Sequence, residues 1–418
     1  MALFEAIPRR SVNLPSSSLS TLIGCAYRGE LQEGSALESF PKAFGKWLGV
    51  SHVFGTSSGR TAFLLALKAL ELKKGAEIIF PAFTFPVMPM VAQMLGYTPV
   101  FCDVDPDTFN AGPEHIAPKI TPKTGAVLAT HLFGQPCPIR EIVKLAREKD
   151  FLVIEDCAHA CGVRVAGQQV GTLGDIGVFS FAEGKNMSCL GGGAIATSNE
   201  MIARRAQQIF AKAPAPSKAA VFKAGLAVWF KWLITRPLVF GLTVYPGLRL
   251  KQMLGQPLMD SVVGDELLQE FMRSSPQIYR LANLQAAIGE RQIQRIDAFN
   301  QGARKNAEIL TQSLGEVPGI QVPRTTDGNH IYVYYPLKVA PEKRDGLRHY
   351  LLKHRIDTKT TDMADCCTLE AFRDQQSTSV RGHRPAAASL LEICVYPVFS
   401  RNEMRRIARV IRAWAGIS

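Results

Sequence analysis

No run of consecutive Lys and Arg is long enough to form a nucleic-acid arm, and no Cys/His spacing matches a zinc finger, although the formal net charge is +12. A basic excess of this size attracts anionic partners in general, phosphorylated substrates and anionic membranes among them, and selects none. With no arm and no finger, nucleic acid is not an expected partner. The opening stretch MALFEAIPRRSVNLPSSS lacks the apolar core of a secretory signal, so the cytoplasm is the expected compartment. The nine cysteines are odd in number, and several, such as Cys102 in TPVFCDVD and Cys394 in EICVYP, lie inside apolar runs. Buried thiols in a reducing compartment fit this better than a disulfide framework. Cys366 and Cys367 are adjacent but lack further ligands at a metal-binding spacing, so no metal site is expected. No internal repeat is evident.

What is present is ordinary globular composition, 47% hydrophobic and 20% charged over 418 residues, enough for one large core and a smaller second domain. One helix is expected near Ala36–Leu48 in an otherwise irregular lead-in. Short apolar strands then alternate with helices. The expected strands are Glu77–Phe80, Pro99–Cys102, Gly125–His131, Phe151–Glu155, Ile176–Phe181 and Gly193–Thr197. The helices are Thr61–Leu72, Pro86–Leu95 and Ile139–Lys149. Continuous apolar strands separated by helices predict an α/β fold with a mostly parallel central sheet covered on both faces. Beyond residue 266 a smaller α+β domain is expected, with helical pattern over Leu281–Leu314, a strand at Ile331–Val339, a helix at Glu342–His354, a strand at Glu392–Tyr396 and a basic amphipathic helix at Arg401–Trp414. The division is therefore 1–210, an insertion at 211–265, and 266–418.

Ligands gather at the carboxyl ends of parallel strands, and two chemically distinctive residues fall there. Lys185, in FSFAEGKNMSCLGGG, follows the strand at 176–181 and precedes three glycines that permit close backbone approach. Such an amine can form a Schiff base with an aldehyde cofactor; taken alone it reads first as a solvated loop lysine, since lysines are mostly exposed. Asp156, just past FLVIE, can keep the pyridine nitrogen of pyridoxal phosphate (PLP) protonated, which makes the ring an electron sink. His159 can contact that ring, or be a core histidine with a satisfied hydrogen bond. In GTSSGRTAFLLAL, Ser58, Gly59 and Arg60 precede or open a helix whose N-terminus suits a dianion. Ser180 lies five residues before Lys185 and can add a hydroxyl. The alternative is an ordinary N-cap.

The ordered stretches GTSSGRTAFLLALKAL, IIFPAFTFPVMPMVAQMLGYTPVFCDVDPDTF, HLFGQPCPIREIVKLAREKDFLVIEDCAHACG and GTLGDIGVFSFAEGKNMSCLGGGAIAT resemble successive motifs of the DegT/DnrJ/EryC1/StrS sugar aminotransferases. The resemblance runs from about residue 36 to 200, resumes at 279–293 and fades by 390–407. It implies fold-type I of the PLP-dependent transferases and a homodimer with shared active sites. It also implies that Lys185 holds the cofactor and shuttles the proton, Asp156 partners the pyridine nitrogen and His159 lies beside the ring. By the same resemblance Phe85 stacks on the ring face, and Ser180, Gly59 and Arg60 cradle the phosphate. The implied reaction passes an amino group from a donor such as glutamate to a keto-sugar nucleotide, or to a lipid-linked keto compound if the insertion meets a membrane. Three positions depart from the family pattern: Arg60 replaces Thr, Gly191 stands where Glu is usual after the lysine, and Ile278 replaces an Asn that the partner subunit donates. The substrate motifs around 358–385 are eroded. Two rival readings remain. One is dehydration on the same scaffold, against which Lys185 argues because the dehydrating branch carries His there. The other is a non-catalytic sensor or scaffold.

The segment 211–255 is longer and more apolar than the family needs, and all its charges are basic. Trp229, Trp232 and Tyr245 with flanking cations suit a membrane interface over 216–250, at the inner face of the membrane. Lys231, Arg236 and Pro237 interrupt the roughly 20-residue apolar run that a span requires. A dimer contact or a substrate lid would use the same residues.

Overall fold

The computed structural model describes residues 4–258, 277–325, 329–375, 380, 382 and 384–417. The apolar stretches between 52 and 197 form one seven-stranded sheet in the order β1-β10-β9-β6-β5-β2-β4. These strands are β1 (His52–Thr56), β2 (Glu77–Pro81), β4 (Thr98–Cys102), β5 (Thr124–Thr130), β6 (Leu152–Asp156), β9 (Ile176–Ser180) and β10 (Gly193–Thr197). All neighbours are parallel except β10, which runs antiparallel to both β9 and β1. Between them lie β3 (Phe83–Thr84) and a β7–β8 hairpin (Arg164–Val165, Gln168–Gln169). Successive strand residues point to opposite faces, and both faces are apolar. Ile79, Val127, Val153 and Phe179 enter one buried cluster, whereas Ile78, Leu128, Ile154 and Val178 enter another.

Helices cover both faces, as continuous apolar strands require. The first cluster takes in α1 (Ser18–Tyr27), α2 (Ala36–Leu48) and α6 (Ile139–Lys149), with the short α5 (Pro113–Ile116) at its edge. The second takes in α3 (Gly59–Leu70), α4 (Val87–Met94) and α7 (Glu200–Phe210). The helix expected at Thr61–Leu72 begins two residues earlier, with Ser58 as N-cap, and stops at Leu70 because Glu71 turns left-handed at φ 48°. The insertion forms α8 (Lys218–Ile234) and α9 (Pro237–Met253). The expected boundary at 265 lies outside the described residues. Tyr245, expected at an exposed interface, is buried, with the Arg355 guanidinium 4.4 Å from its ring centre.

The helical pattern over 281–314 divides into α10 (Asn283–Ile293), which packs on α2, and α11 (Ile296–Leu314). A three-stranded sheet follows, β11 (Ile320–Gln321), β12 (Tyr335–Val339) and β14 (Leu390–Ile393). Around it lie α12 (Pro341–Lys353), β13 (Ala364–Asp365), α13 (Arg384–Ser389) and α14 (Arg401–Trp414). The strand expected from Ile331 starts only at Tyr335, because the amides of Ile331 and Val333 donate to the carbonyls of Gly134 and Phe133 in the large sheet's loops. The strand expected at Glu392–Tyr396 ends at Ile393; the carbonyls of Val395 and Tyr396 accept instead from the Asn306 amide of α11. One consequence bears on the site: β13 pairs with β3, Asp365 opposite Phe83, so the loop before β13 is drawn to the large sheet.

Candidate active site

Asp156 is the last residue of β6 and sits opposite Val178 of the parallel β9. Its carboxylate is buried and accepts the Ala158 amide at 3.0 Å. Burial pushes its pKa up, and that hydrogen bond and the nearby Lys185 pull it back. Lys185 lies five residues past β9, half-buried. Burial depresses its amine to about 8; Asp156 and Asp362 oppose the fall, and Lys359 and Arg10 add to it. Among neutralising groups, an amine brought this close to neutrality is nucleophilic at physiological pH.

The backbone on either side of Lys185 is fixed by side chains. Tyr334 and Tyr396 each donate a hydroxyl to the Gly184 carbonyl at 3.3 Å. The Asn186 amide donates to Cys161 O at 2.7 Å and to Asn300 Oδ1 at 2.9 Å, while Asn13 donates to the Asn186 carbonyl at 2.6 Å. These residues come from the N-terminal lead-in, α11 and the smaller sheet, so the lysine's position depends on the whole molecule.

His159 is buried, and its Nδ1 accepts the Phe133 amide at 3.3 Å. Burial first, then the charges of Lys185, Lys359 and Arg10, hold its pKa well below the usual value. The ring is therefore neutral with its proton on Nε2. It stacks with Phe133 at 6.3 Å and meets Tyr334 edge-on at 5.9 Å. Phe85, just after β3, is half-buried and packs against the cluster of α3 and α4.

The start of α3 makes a tight pocket with β9 and β10. A Cβ on Gly59 would lie 2.7 Å from Ser180 Cβ, and one on Gly193 would lie 2.6 Å from Gly59 N. Gly191 and Gly192 have φ of 109° and 100°, a region that favours glycine. Only glycine lets these three segments meet around the helix N-terminus, where amides and dipole favour a phosphate. Ser180 faces the same spot. Ser58 has a second duty: its hydroxyl caps α3, accepting the Thr61 amide at 3.2 Å. Arg60 is exposed on the first turn. A buried carboxylate, a low-pKa lysine, a neutral imidazole and a glycine-shaped anion cradle are chemically suited to PLP.

A cluster that the sequence did not disclose lies near Lys185, whose charge environment includes Asp362, Lys359 and Arg10. Lys359 is buried, with Nζ 2.7 Å from Asp362 and 2.9 Å from Glu392, and 4.2 Å from the Tyr334 ring centre. Arg10 reaches Asp362 with Nη2 at 2.6 Å from Oδ1. Against the upward push of burial, Lys359 and Arg10 hold Asp362 below the usual carboxylate value. The members come from residue 10 and from 359–392, in the stretch that resembles the family least, so spacing carried no signal. His131 also converges, buried, with Glu155 and Cys157, the two neighbours of Asp156 in the chain. Glu155 accepts the amides of Gly171, Leu173 and Gly174 at 2.6–2.8 Å and faces His131 Nε2 at 3.1 Å. Cys137 N donates to His131 Nδ1. With their lone pairs engaged, these groups brace the turn into β9.

A model of the DegT/DnrJ/EryC1/StrS aminotransferase family matches residues 16–223 and 267–413. A UDP-N-acetyl-3-dehydro-alpha-D-glucosamine 3-aminotransferase of Acidithiobacillus ferrooxidans is 29% identical over 365 residues, 87% of this chain and 84% of that protein. GDP-perosamine synthase of Vibrio cholerae is 28% identical over 358 residues, 84% of each chain. Among solved structures, NtdA of Bacillus subtilis with bound cofactor PMP has a TM-score of 0.74 at 22% identity, covering 96% of this chain and 83% of that one; at this identity the likeness concerns the fold.

Proposed function

Because this chain belongs to the DegT/DnrJ/EryC1/StrS aminotransferase family, we propose that it is a PLP-dependent aminotransferase that passes an amino group from an amino-acid donor, glutamate first among them, to a keto-sugar nucleotide. The observation that carries this reading is the meeting of Lys185 and Asp156 at the carboxyl ends of adjacent parallel strands. The relatives named as a UDP-sugar aminotransferase and a GDP-perosamine synthase support the acceptor class.

When bound, PLP supplies a carbonyl for amine exchange and an electron-withdrawing ring. Asp156 would hold the proton on the ring nitrogen. Gly59, Ser180 and the α3 N-terminus, with Ser58 and Arg60 at its edge, would bind the phosphate. Phe85 and neutral His159 would hold the ring; being neutral, His159 adds no cation that would compete for Asp156. Lys185 would hold the cofactor through its amine, and its free Nζ would accept and return the proton at the substrate carbon. Arg10, Lys359 and Asp362, whose charges act on Lys185, would be available to meet the substrate. We propose a homodimer with shared sites in the cytoplasm; nine buried, unpaired thiols support a reducing compartment.

Protein loaded with PLP should lose its visible absorbance on addition of glutamate and release 2-oxoglutarate, and a UDP-, GDP- or dTDP-linked keto-sugar should restore it. An unchanged spectrum with every amino acid tried would favour the scaffold reading. Capture of added PLP by cofactor-free protein gives a second test. Below its pKa the Lys185 amine is protonated and unreactive, so the rate should rise about tenfold per pH unit up to about pH 8 and then level off. A rate still climbing at that slope to about pH 10 would mean an ordinary lysine.

A further inference from the structure

The two helices of the insertion are apolar almost all round, a pattern that belongs in a protein core or against lipid. Yet only Val221 and Gly225 of α8, and Phe240, Gly241 and Tyr245 of α9, are buried. Gly225 seats α8 on Leu22, Leu190 and Leu284. On the other side, Phe222, Leu226 and Phe230 recur every fourth residue and form an exposed stripe, with Phe230 55% exposed. On α9, Leu242, Leu250 and Met253 are exposed by 55%, 53% and 68%. Cations are interspersed throughout, and residues 211–255 contain no Asp or Glu. The family match skips 224–266, so the fold of the family does not require this element.

We propose that α8 and α9 dock this protein on an anionic phospholipid surface. Charge decides the occupant. A second copy meeting this face about a two-fold axis would set the Lys and Arg of these two helices, which carry no Asp or Glu of their own, against the same cations. Anionic headgroups instead pair with those cations while the Phe, Leu and Met side chains enter the acyl boundary. The helices lie on the surface and do not cross it. Each has 17 residues, about 26 Å at helical rise, short of the roughly 30 Å core, and they meet at 91°. No single described helix is long and apolar enough to cross a membrane. At the bend, Trp229 and Trp232 stack at 6.2 Å and Arg236 lies 4.1 Å over the Trp232 ring, which itself packs against the core and so anchors the two helices to the body of the protein. Lys231 binds both oxygens of Glu183 at 2.8 Å. The docking element is thereby bolted to the loop that carries Lys185, two residues on.

Flotation of full-length, PLP-loaded protein with vesicles tests this independently of catalysis. Vesicles containing about 30% phosphatidylglycerol should retain it about tenfold better than phosphatidylcholine vesicles, and high salt should weaken the difference. The variant Leu226→Glu/Phe230→Glu/Leu242→Glu should lose that binding about tenfold while keeping its circular dichroism, its PLP absorbance and its sedimentation. Lys223→Gln/Arg249→Gln/Lys251→Gln should lose the preference for the anionic lipid. Failure of the parent protein to float, or equal flotation of the Glu variant, overturns the proposal. Conversion of a dimer to a monomer by the Glu variant, with lipid binding unchanged, overturns it in favour of a second copy. None of these outcomes touches the aminotransferase reading, which is scored by 2-oxoglutarate release.

Discussion

Lys185→Ala is expected to lower turnover by about four orders of magnitude and to leave a protein that no longer takes PLP into a borohydride-fixed bond. The loss should be chemical and not structural. Gly184 and Asn186 are held by Tyr334, Tyr396, Asn300 and Asn13, none of which involves the lysine side chain. The sign of the stability effect supports the distinction. Lys185 has its folded-state pKa lowered from 10.5 to about 8. Below about pH 8 the cofactor-free protein carries an unfavourable buried charge, and that penalty is relieved only as pH rises from about 8 towards 10.5. The alanine variant without cofactor should therefore melt no lower than the parent at pH 7, and the two should converge at alkaline pH. Thermal melts at several pH values alongside 2-oxoglutarate release would check both halves. A variant with full activity would remove the basis of the functional proposal.

Asp156→Asn is expected to cost about a thousandfold in turnover while PLP still attaches to Lys185. The asparagine oxygen can still accept the Ala158 amide that Asp156 accepts at 3.0 Å, so the end of β6 keeps its shape. What is lost is the negative charge that keeps the pyridine nitrogen protonated. The distinguishing readout is the balance between the two half-reactions: borohydride trapping should remain near the parent level while single-turnover reaction with glutamate slows. Equal loss of attachment and turnover would instead mean that Asp156 only shapes the pocket. Glu155, one residue earlier, should behave in the opposite sense, since its carboxylate holds three loop amides and faces His131; its removal belongs to stability.

The pairing of Lys185 with Asp156 was legible because both follow continuous apolar strands, and such strands place their carboxyl ends together in a parallel sheet. The glycines at 59 and 191–193 were legible for a similar reason: local backbone chemistry restricts what can stand there. Strand limits in the smaller sheet were not, because Ile331 and Val333 spend their amides on Gly134 and Phe133 and not on a β partner.

The sequence by itself determined the α/β sheet and the order of the motifs, and it singled out the lysine of the candidate site, since each rests on short-range periodicity or on neighbours in the chain. Only the tertiary structure brought Arg10, Lys359 and Asp362 near that lysine, buried Tyr245 against Arg355 and left Phe222, Leu226 and Phe230 outside. Composition shows that a segment is apolar; which of its faces is covered depends on residues hundreds of positions away, and that is decided by packing.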